Sequence, residues 1–316
     1  IRRPPRSTLF PYTTLFRSVV TPLIYDEAYI PFLLDYCKKN HIDAVLSLFN
    51  VDLYMLAQHR EEFAKEGIRV IVSAPEVIRI CNDKWETYQF CRKNGFLTPK
   101  TWLHLSDVKA ALEAGEISYP VIIKPRWGMG SIAIYQAENA EELEVLTQKV
   151  TREIFRSYLR YESAFDEEEC VLFQEMIHGQ EHGLDVIHDL DGAWQLTVVR
   201  EKIAMRSGET DCARVLSDER IASVGTAVGK ALGHIGNLDM DVFVTEDAVY
   251  VLELNARFGG GYPFSHLAGI NLPKAIIKWL SGEALTDELV VKKTGLYAQK
   301  DIRMIDITSC VKEDGK

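Results

Sequence analysis

The stretch VLELNARFGGGYPFSHLAGINL, residues 251 to 272, sets a carboxylate, an amide and a guanidinium at alternate positions, Glu253, Asn255 and Arg257, and follows them with three glycines. Side chains two apart on a strand share a face, so Glu253 and Asn255 present two oxygen ligands together. Upstream, DMDVFV (239–244) reads as the partner strand of a hairpin. Asp241 joins the same face only if the loop holds an odd number of residues, three or five, because a slip of one turns a strand's side chains over. Two carboxylates and an amide oxygen form a hard oxygen site suited to Mg2+, which keeps its other positions for water and phosphate. Buried without a metal, those carboxylates would carry a large desolvation cost. An ion pair with Arg257, or an edge strand with a solvated face and a glycine-rich turn, would use the same residue types.

Positive charge recurs at two places. Lys124 closes the apolar run VIIK and precedes Pro-Arg-Trp-Gly-Met-Gly-Ser. A lysine leaving a buried strand beside Gly128 and Gly130 can bring a point charge and exposed backbone N–H groups to phosphate oxygens. The segment is not a P-loop, since the G-x-x-x-x-G-K-[ST] spacing is absent, and a strand-ending lysine also snorkels to solvent. Lys84 follows Asp83, a predicted N-cap, and so stands in a first helical turn where the macrodipole disfavours a cation; solvent or a bound anion would account for it. In FQEMIHGQEHGLDVI, the run Phe173–Ile177 reads as an inter-domain strand whose free backbone groups could meet an adenine edge. Glu181, after Gly179, could accept from both ribose hydroxyls. An ordinary strand and turn with surface acids would read alike.

These residues need elements to position them. From Val19 to about Ala74, helical spacing over Asp26–Lys39 and Asp52–Lys65 alternates with the short apolar runs IDAVLSLF (42–49) and GIRVIVSA (67–74). Such alternation predicts βαβ units and a parallel sheet, here without its opening strand and helix and so with an exposed edge. From Asn82 to about Cys170, helices are predicted at Lys84–Asn94, capped by Asp83 and closed by Gly95, at Ser106–Gly115, and after Asn139, which forms a capping box with Glu142. Between them, YPVIIKPRWGMGSIAIY gives a strand, a polar glycine turn and a second strand. From Val171, strands around Trp194–Val199 lead to a helix capped by Ser217 and closed by Gly236. The hairpin and a helix over Pro273–Leu280 follow.

At 316 residues and 47% apolar, the chain has room for two or three domains with substantial cores, and it holds no run of about 18 apolar residues for a membrane span. A formal net charge of −10 argues against nucleic acid as a partner. Cysteines 37, 81, 91, 170, 212 and 310 make no C-x-x-C pair and no zinc spacing with histidines, so buried thiols of a cytoplasmic protein are expected. The first eighteen residues, IRRPPRSTLFPYTTLFRS, carry four arginines, no acid and a repeated TLF. A transit peptide would share that composition; translated sequencing-adaptor sequence joined to a truncated gene is the preferred expectation. Without them the balance is 32 basic against 46 acidic residues, a net of −14.

In chain order, the features are a first lysine, a second lysine with a glycine loop, Q-E-x-I-x-G-x-E, then Asp and, about twelve residues on, E-x-N-x-R. This order, over roughly 19–283, resembles the ATP-grasp superfamily and within it the carbamoyl-phosphate-synthase-like branch of short, single-module proteins. The resemblance implies a mixed α/β and α+β fold. A truncated Rossmann-like pre-ATP-grasp domain (19–81) would precede a two-subdomain ATP-grasp fold, subdomain A at 82–170 and subdomain B with its tail at 171–316, with ATP held between. It implies Lys84 and Lys124 as phosphate-binding residues and Gly128, Gly130 and Ser131 as a mobile loop over the triphosphate. Glu175 and Ile177 would be the adenine contacts and Glu181 the ribose acid. Asp241, Glu253 and Asn255 would be ligands of Mg2+ or Mn2+, and Arg257 the catalytic cation at the transferring phosphoryl group. The implied reaction activates a small-molecule carboxylate as an acyl-phosphate for attack by an amine. Phosphorylation of bicarbonate or carbamate, or ATP binding without catalysis, are the alternatives, and the assembly is left open to a homodimer. Two departures stand out: the absent opening strand and helix, and the segment VVREKIAMRSGETD (198–211), where Arg200, Lys202 or Arg206 could still contact substrate or phosphate but are not assigned a role.

Overall fold

The computed structural model describes residues 19–206, 208–302 and 304. The first eighteen residues, with the adaptor expectation, and Cys310 lie outside that range. The chain begins with α1 (Tyr29–Lys39), β1 (Ala44–Leu46), α2 (Asn50–Lys65), β2 (Arg69–Ile71) and α3 (Pro75–Asn82). β1 and β2 run parallel, Val45 opposite Val70, with α2 as the crossover. On α2 the inward positions Leu53, Leu56, Ala57 and Phe63 are buried at helical spacing. The predicted helix starts shift by two or three residues. At α1, Asp26 accepts from the N–H of Ala28 at 2.9 Å in a turn that precedes the helix.

The next unit comprises α4 (Lys84–Lys93), β3 (Thr101–Trp102), α5 (Leu105–Glu113), β4 (Val121–Pro125), β5 (Tyr135–Ala137), α6 (Ala140–Arg156), α7 (Arg160–Ser163) and β6 (Val171–Glu175). Its antiparallel sheet has the order β3-β6-β4-β5. Val108 and Ala111 of α5 and Leu143, Val150 and Ile154 of α6 bury against Val121, Ile123 and Phe173, each large apolar side chain adding about 1.5–3 kcal/mol. Asp83 caps α4, accepting from the N–H groups of Trp85 at 2.9 Å and Glu86 at 3.4 Å, and Asn139 caps α6 through the N–H of Glu142 at 3.0 Å. The Ser106 start is corrected: α5 begins at Leu105 after His104, without a side-chain cap.

The third unit holds β7 (Gln180–His188), β8 (Trp194–Arg206), β9 (Glu209–Leu216), α8 (Glu219–Leu232), β10 (Gly236–Val244), β11 (Val249–Asn255), α9 (Tyr262–Leu267), α10 (Leu272–Ser281) and β12 (Tyr297–Gln299). Its six-stranded sheet has the order β11-β10-β7-β8-β9-β12. One face packs Leu184, Val186, Leu238, Met240, Val242 and Val251 against α8 and, in the same core, against α3 of the first unit. Two helix ends differ from expectation. Asp218 rather than Ser217 caps α8, accepting from Ile221 N–H at 3.1 Å, and the helix closes at Gly233 (φ 70°), three residues before Gly236. Among the described residues no helix is long and apolar enough to cross a membrane.

Candidate active site

The expected odd loop between β10 and β11 is not found. Val244 pairs with Val249, leaving four loop residues, an even number that would by itself turn Asp241 away from Glu253. A β-bulge corrects the phase: Val242 faces Val251, whereas Asp241 faces Glu253 and Asp239 faces Asn255, so Leu252 is the extra residue. Burial records the slip, since Val249 and Val251 point into the core and the next inward residue is Leu254. The bulged Leu252 lines a cavity of about 870 Å3 between the two antiparallel sheets, as do Asp239, Asp241, Glu253 and Asn255.

From the other side come the lysines. Lys124, at the end of β4, is buried and donates to Gln174 Oε1 at 2.7 Å. Lys84, in the first turn of α4, donates to the carbonyl of Gly128 at 2.5 Å and lies 3.6 Å from Glu253. Asp83 ties this corner together by capping α4 while pairing with Arg126, Nε to Oδ1 at 2.9 Å and Nη2 to Oδ2 at 2.8 Å. The loop over the cavity turns at Gly128 (φ 105°), where a Cβ would stand 2.2 Å from Leu159 Cδ2, and continues with positive φ at Gly130 and Ser131. Both contact and backbone angle select glycine at 128.

Electrostatics tie the groups to one another. Burial, and then the charge of Lys84, push the Lys124 amine down to about 8. Burial pushes the Glu253 carboxyl up, but Lys84, Lys124, Arg257 and Lys202 outweigh it and hold the group below the ordinary range. Asp241 is raised, first by burial and then by Asp239 and Glu181, against the pull of Lys202.

The predicted residues divide by geometry. Lys84, Lys124, Gly128, Gly130, Ser131, Glu175, Ile177, Glu181, Asp241, Glu253, Asn255 and Arg257 all border the one cavity. The predicted strand Phe173–Ile177 lies two residues earlier than expected, at Val171–Glu175. The Glu175 carboxylate turns away to accept from Lys100 N–H at 3.0 Å, and Ile177 lies in the unpaired segment before β7. Glu181 accepts from Lys202 Nζ at 2.7 Å, and the same amine lies 2.7 Å from Asp241. Arg206 is exposed and pairs with Asp211.

Several residues of the site are given no role by the sequence alone. Arg200, buried on β8, pairs with Asp185 and donates to Ser265 Oγ at 2.8 Å. Asp239 accepts from Arg257 Nη1 at 2.8 Å. The glycines after Arg257 admit these groups: a Cβ at Gly259 would stand 2.0 Å from Asp239 Cγ and one at Gly261 2.8 Å from Arg200 Nη2. The odd-numbered positions of β10, read with the bulge, could have revealed Asp239; nothing local marks Asp185.

The donor set suits a hard divalent cation, with Asp241 and Glu253 opposite each other, Asn255 beside them, and a raised Asp241 carboxyl that a cation would stabilise in its charged form. Among the described residues no three His, Cys, Asp or Glu side chains gather closely enough to hold an ion. A cation here would therefore lean on an amide and on nucleotide oxygens, as Mg2+ commonly does.

Comparison with known proteins gives two profile matches, an ATP-grasp domain over residues 81–261 and a PylC-like N-terminal domain over residues 16–71. Among solved structures, the biotin carboxylase domain dimer of Hydrogenobacter thermophilus 2-oxoglutarate carboxylase, in complex with MgADP, ADP and bicarbonate, is 21% identical at a TM-score of 0.69, over 86% of this chain and 61% of that one. Campylobacter jejuni biotin carboxylase in a β,γ-ATP complex is 23% identical at a TM-score of 0.67, over 84% and 60%. An L-amino acid ligase from Bacillus licheniformis is 22% identical at a TM-score of 0.63, over 83% and 62%. The chain thus spans about three-fifths of the length of each of these structures.

Proposed function

This chain belongs to the ATP-grasp family, and on that premise we propose that it is an ATP-dependent ligase. Its carboxylate substrate attacks the γ-phosphorus of ATP to give an acyl-phosphate and ADP, and an amine then attacks the acyl carbon and displaces phosphate. The observation that carries this reading is the convergence of two lysines, Lys84 at the start of α4 and Lys124 on β4, with Asp241, Glu253, Asn255 and Arg257 of the third unit around a single cavity.

In this mechanism Lys84 and Lys124 neutralise phosphate oxygens and hold the nucleotide in register. The loop through Gly128, Gly130 and Ser131 excludes water over it. Asp241, Glu253 and Asn255 would hold Mg2+, which when bound would supply charge neutralisation at the transferring group. Arg257, aimed by Asp239, stabilises the charge that grows as the carboxylate oxygen attacks the γ-phosphorus. Phosphoryl transfer asks a protein mainly for position and charge, and this set provides both without an activated serine or cysteine. Lys202 and Glu181 form the wall where the nucleotide sugar would lie.

The test is phosphate release with Mg-ATP across a matrix of carboxylates, amines and amino acids. Turnover that requires both an organic carboxylate and an amine is expected. Turnover with bicarbonate alone would move the reading to bicarbonate phosphorylation. Saturable Mg-ATP binding with no ADP formed under any pair would sink the ligase and leave a binding module.

A further inference from the structure

Asn50 is the first residue of α2, yet its side chain leaves its own helix uncapped and is buried against the third unit. Its Nδ2 donates to Asn255 Oδ1 at 2.6 Å, and its Oδ1 accepts from Arg257 Nε at 2.6 Å. One amide from the N-terminal unit thus spans a proposed cation ligand and the proposed catalytic cation. The direction of this chain of hydrogen bonds is fixed by chemistry. Arg257 Nε–H can only donate, so the oxygen of Asn50 must face it and the NH2 of Asn50 must face Asn255. That in turn requires the oxygen of Asn255 at the near end. A carbonyl-type oxygen has two lone pairs, and Asn50 takes one, leaving the other for a cation.

The surroundings do not otherwise call for a polar group. Leu53, Cys81 and Ala256 in the adjoining core are buried, and an apolar residue would hold these two units together without the cost of burying an amide. Asn82 Nδ2 donates to the carbonyl of Asn50 at 3.2 Å, fixing the backbone from which the amide projects. Arg257 is held on its other side by Asp239 at 2.8 Å and the carbonyl of Phe258 at 3.2 Å.

We propose that Asn50 is a positioning residue for the nucleotide-metal site: its single amide sets which end of the Asn255 amide faces the cation and aims the Arg257 guanidinium. This rests on the reading of Asn255 and Arg257 given above. Asn50→Asp separates the two bonds. A carboxylate still accepts from Arg257, but it cannot donate to Asn255, whose amide is then driven to present its NH2 and turn its oxygen away.

The experiment measures Mn2+ affinity by electron paramagnetic resonance in the presence of saturating ADP on the full chain, together with metal-free ADP affinity and the melting temperature. Loss of a partner that orients a metal ligand commonly weakens metal binding by about 10- to 100-fold. Asn50→Asp is expected to lose that much Mn2+ affinity while metal-free ADP affinity changes less than about twofold. Asn50→Ala, which removes both bonds without adding charge, is expected to show a similar loss and carries the test alone if the aspartate variant does not fold. The Arg257 end is read from its Nε–H resonance, protected from exchange in the unsubstituted chain and lost to fast exchange in Asn50→Ala; an unchanged resonance overturns that half. Mn2+ affinities within twofold of the unsubstituted chain, or metal-free ADP affinity and melting temperature falling in step with Mn2+ affinity, overturn the positioning role alone. Absence of Mn2+-ADP binding by the unsubstituted chain overturns both this role and the proposed function.

Discussion

Lys124 should give nucleotide binding a basic limb well below the ordinary lysine range. Its amine donates to Gln174 Oε1 at 2.7 Å; burial, and then the charge of Lys84, bring it down to about 8. A phosphate beside it favours the charged form, so the bound-state value lies higher than the free one. Affinity is therefore fully present below about 8 and falls as pH rises, because the free protein sheds a proton that binding must restore. With a free value near 8, the charged fraction drops from about 0.9 at pH 7 to about 0.1 at pH 9, which raises the apparent Kd about tenfold, or about 1.4 kcal/mol. The assay is calorimetric titration with Mg2+ and a non-hydrolysable ATP analogue at fixed ionic strength. Asp241, raised by burial, adds an acid limb of opposite sign, since a cation requires its charged form. Lys124→Arg stays charged throughout and should flatten the basic limb. A profile level to about pH 9 that bends only near the ordinary lysine value of about 10.4 would refute the reasoning.

Arg257→Ala should lower kcat by roughly 10²- to 10³-fold, the usual cost of deleting one transition-state donor, with the ATP KM shifting far less; near-full turnover in a steady-state assay would remove Arg257 from the mechanism. Gly128→Ala forces a Cβ onto a backbone at φ 105° and against Leu159, at a cost of about 1–3 kcal/mol. It should weaken the ATP analogue by about 5- to 150-fold in the same titration. His188 and His234 stack with ring centroids 4.0 Å apart, and burial followed by the His188 charge depresses His234 to about 3. The unfolded chain binds that proton near the ordinary 6.5, so stability is whole above that value and falls by about 1.4 kcal/mol per pH unit below it. Urea unfolding at pH 7 and pH 5 should differ by about 2 kcal/mol from this group, and His234→Gln should remove that part.

The sequence located the hairpin because β10 alternates without interruption, with Leu238, Met240 and Val242 inward and Asp239 and Asp241 outward. Its parity rule failed at β11, where Val249, Val251 and Leu254 break the period of two by one residue. That break is visible in the letters once a bulge is allowed, so the miss lay in assuming an unbroken ladder. The cap of α8 was a choice between adjacent oxygens, Ser217 and Asp218, decided by where β9 releases the chain at Leu216. Both Gly233 and Gly236 adopt positive φ, and the helix stops at the first. Lys202 takes its meaning from Glu181 on β7 and Asp241 on β10, strands that only the sheet order brings beside it. Asn50 could not be read at all, since its meaning depends on Asn255 and Arg257 more than 200 positions away.

The contacts that sequence reasoning could not reach share a physical character: they join elements that are separate in the chain. Asp83 caps α4 and clamps Arg126, fixing Lys84 to the loop that roofs the cavity. Leu252 adds one residue to a strand and thereby turns Glu253 to face Asp241. Asn50 reaches from the first unit to the far end of the same strand. Each joint is also where charge is buried, and an unpaired buried charge would cost several kcal/mol. Here every such group has a partner from another strand or unit: Glu253 with Lys84, Asp241 with Lys202, Asp239 with Arg257. The packing of three units and the electrostatics of the site are therefore one problem, and a substitution at any of these joints should disturb ligand binding before it disturbs the cores.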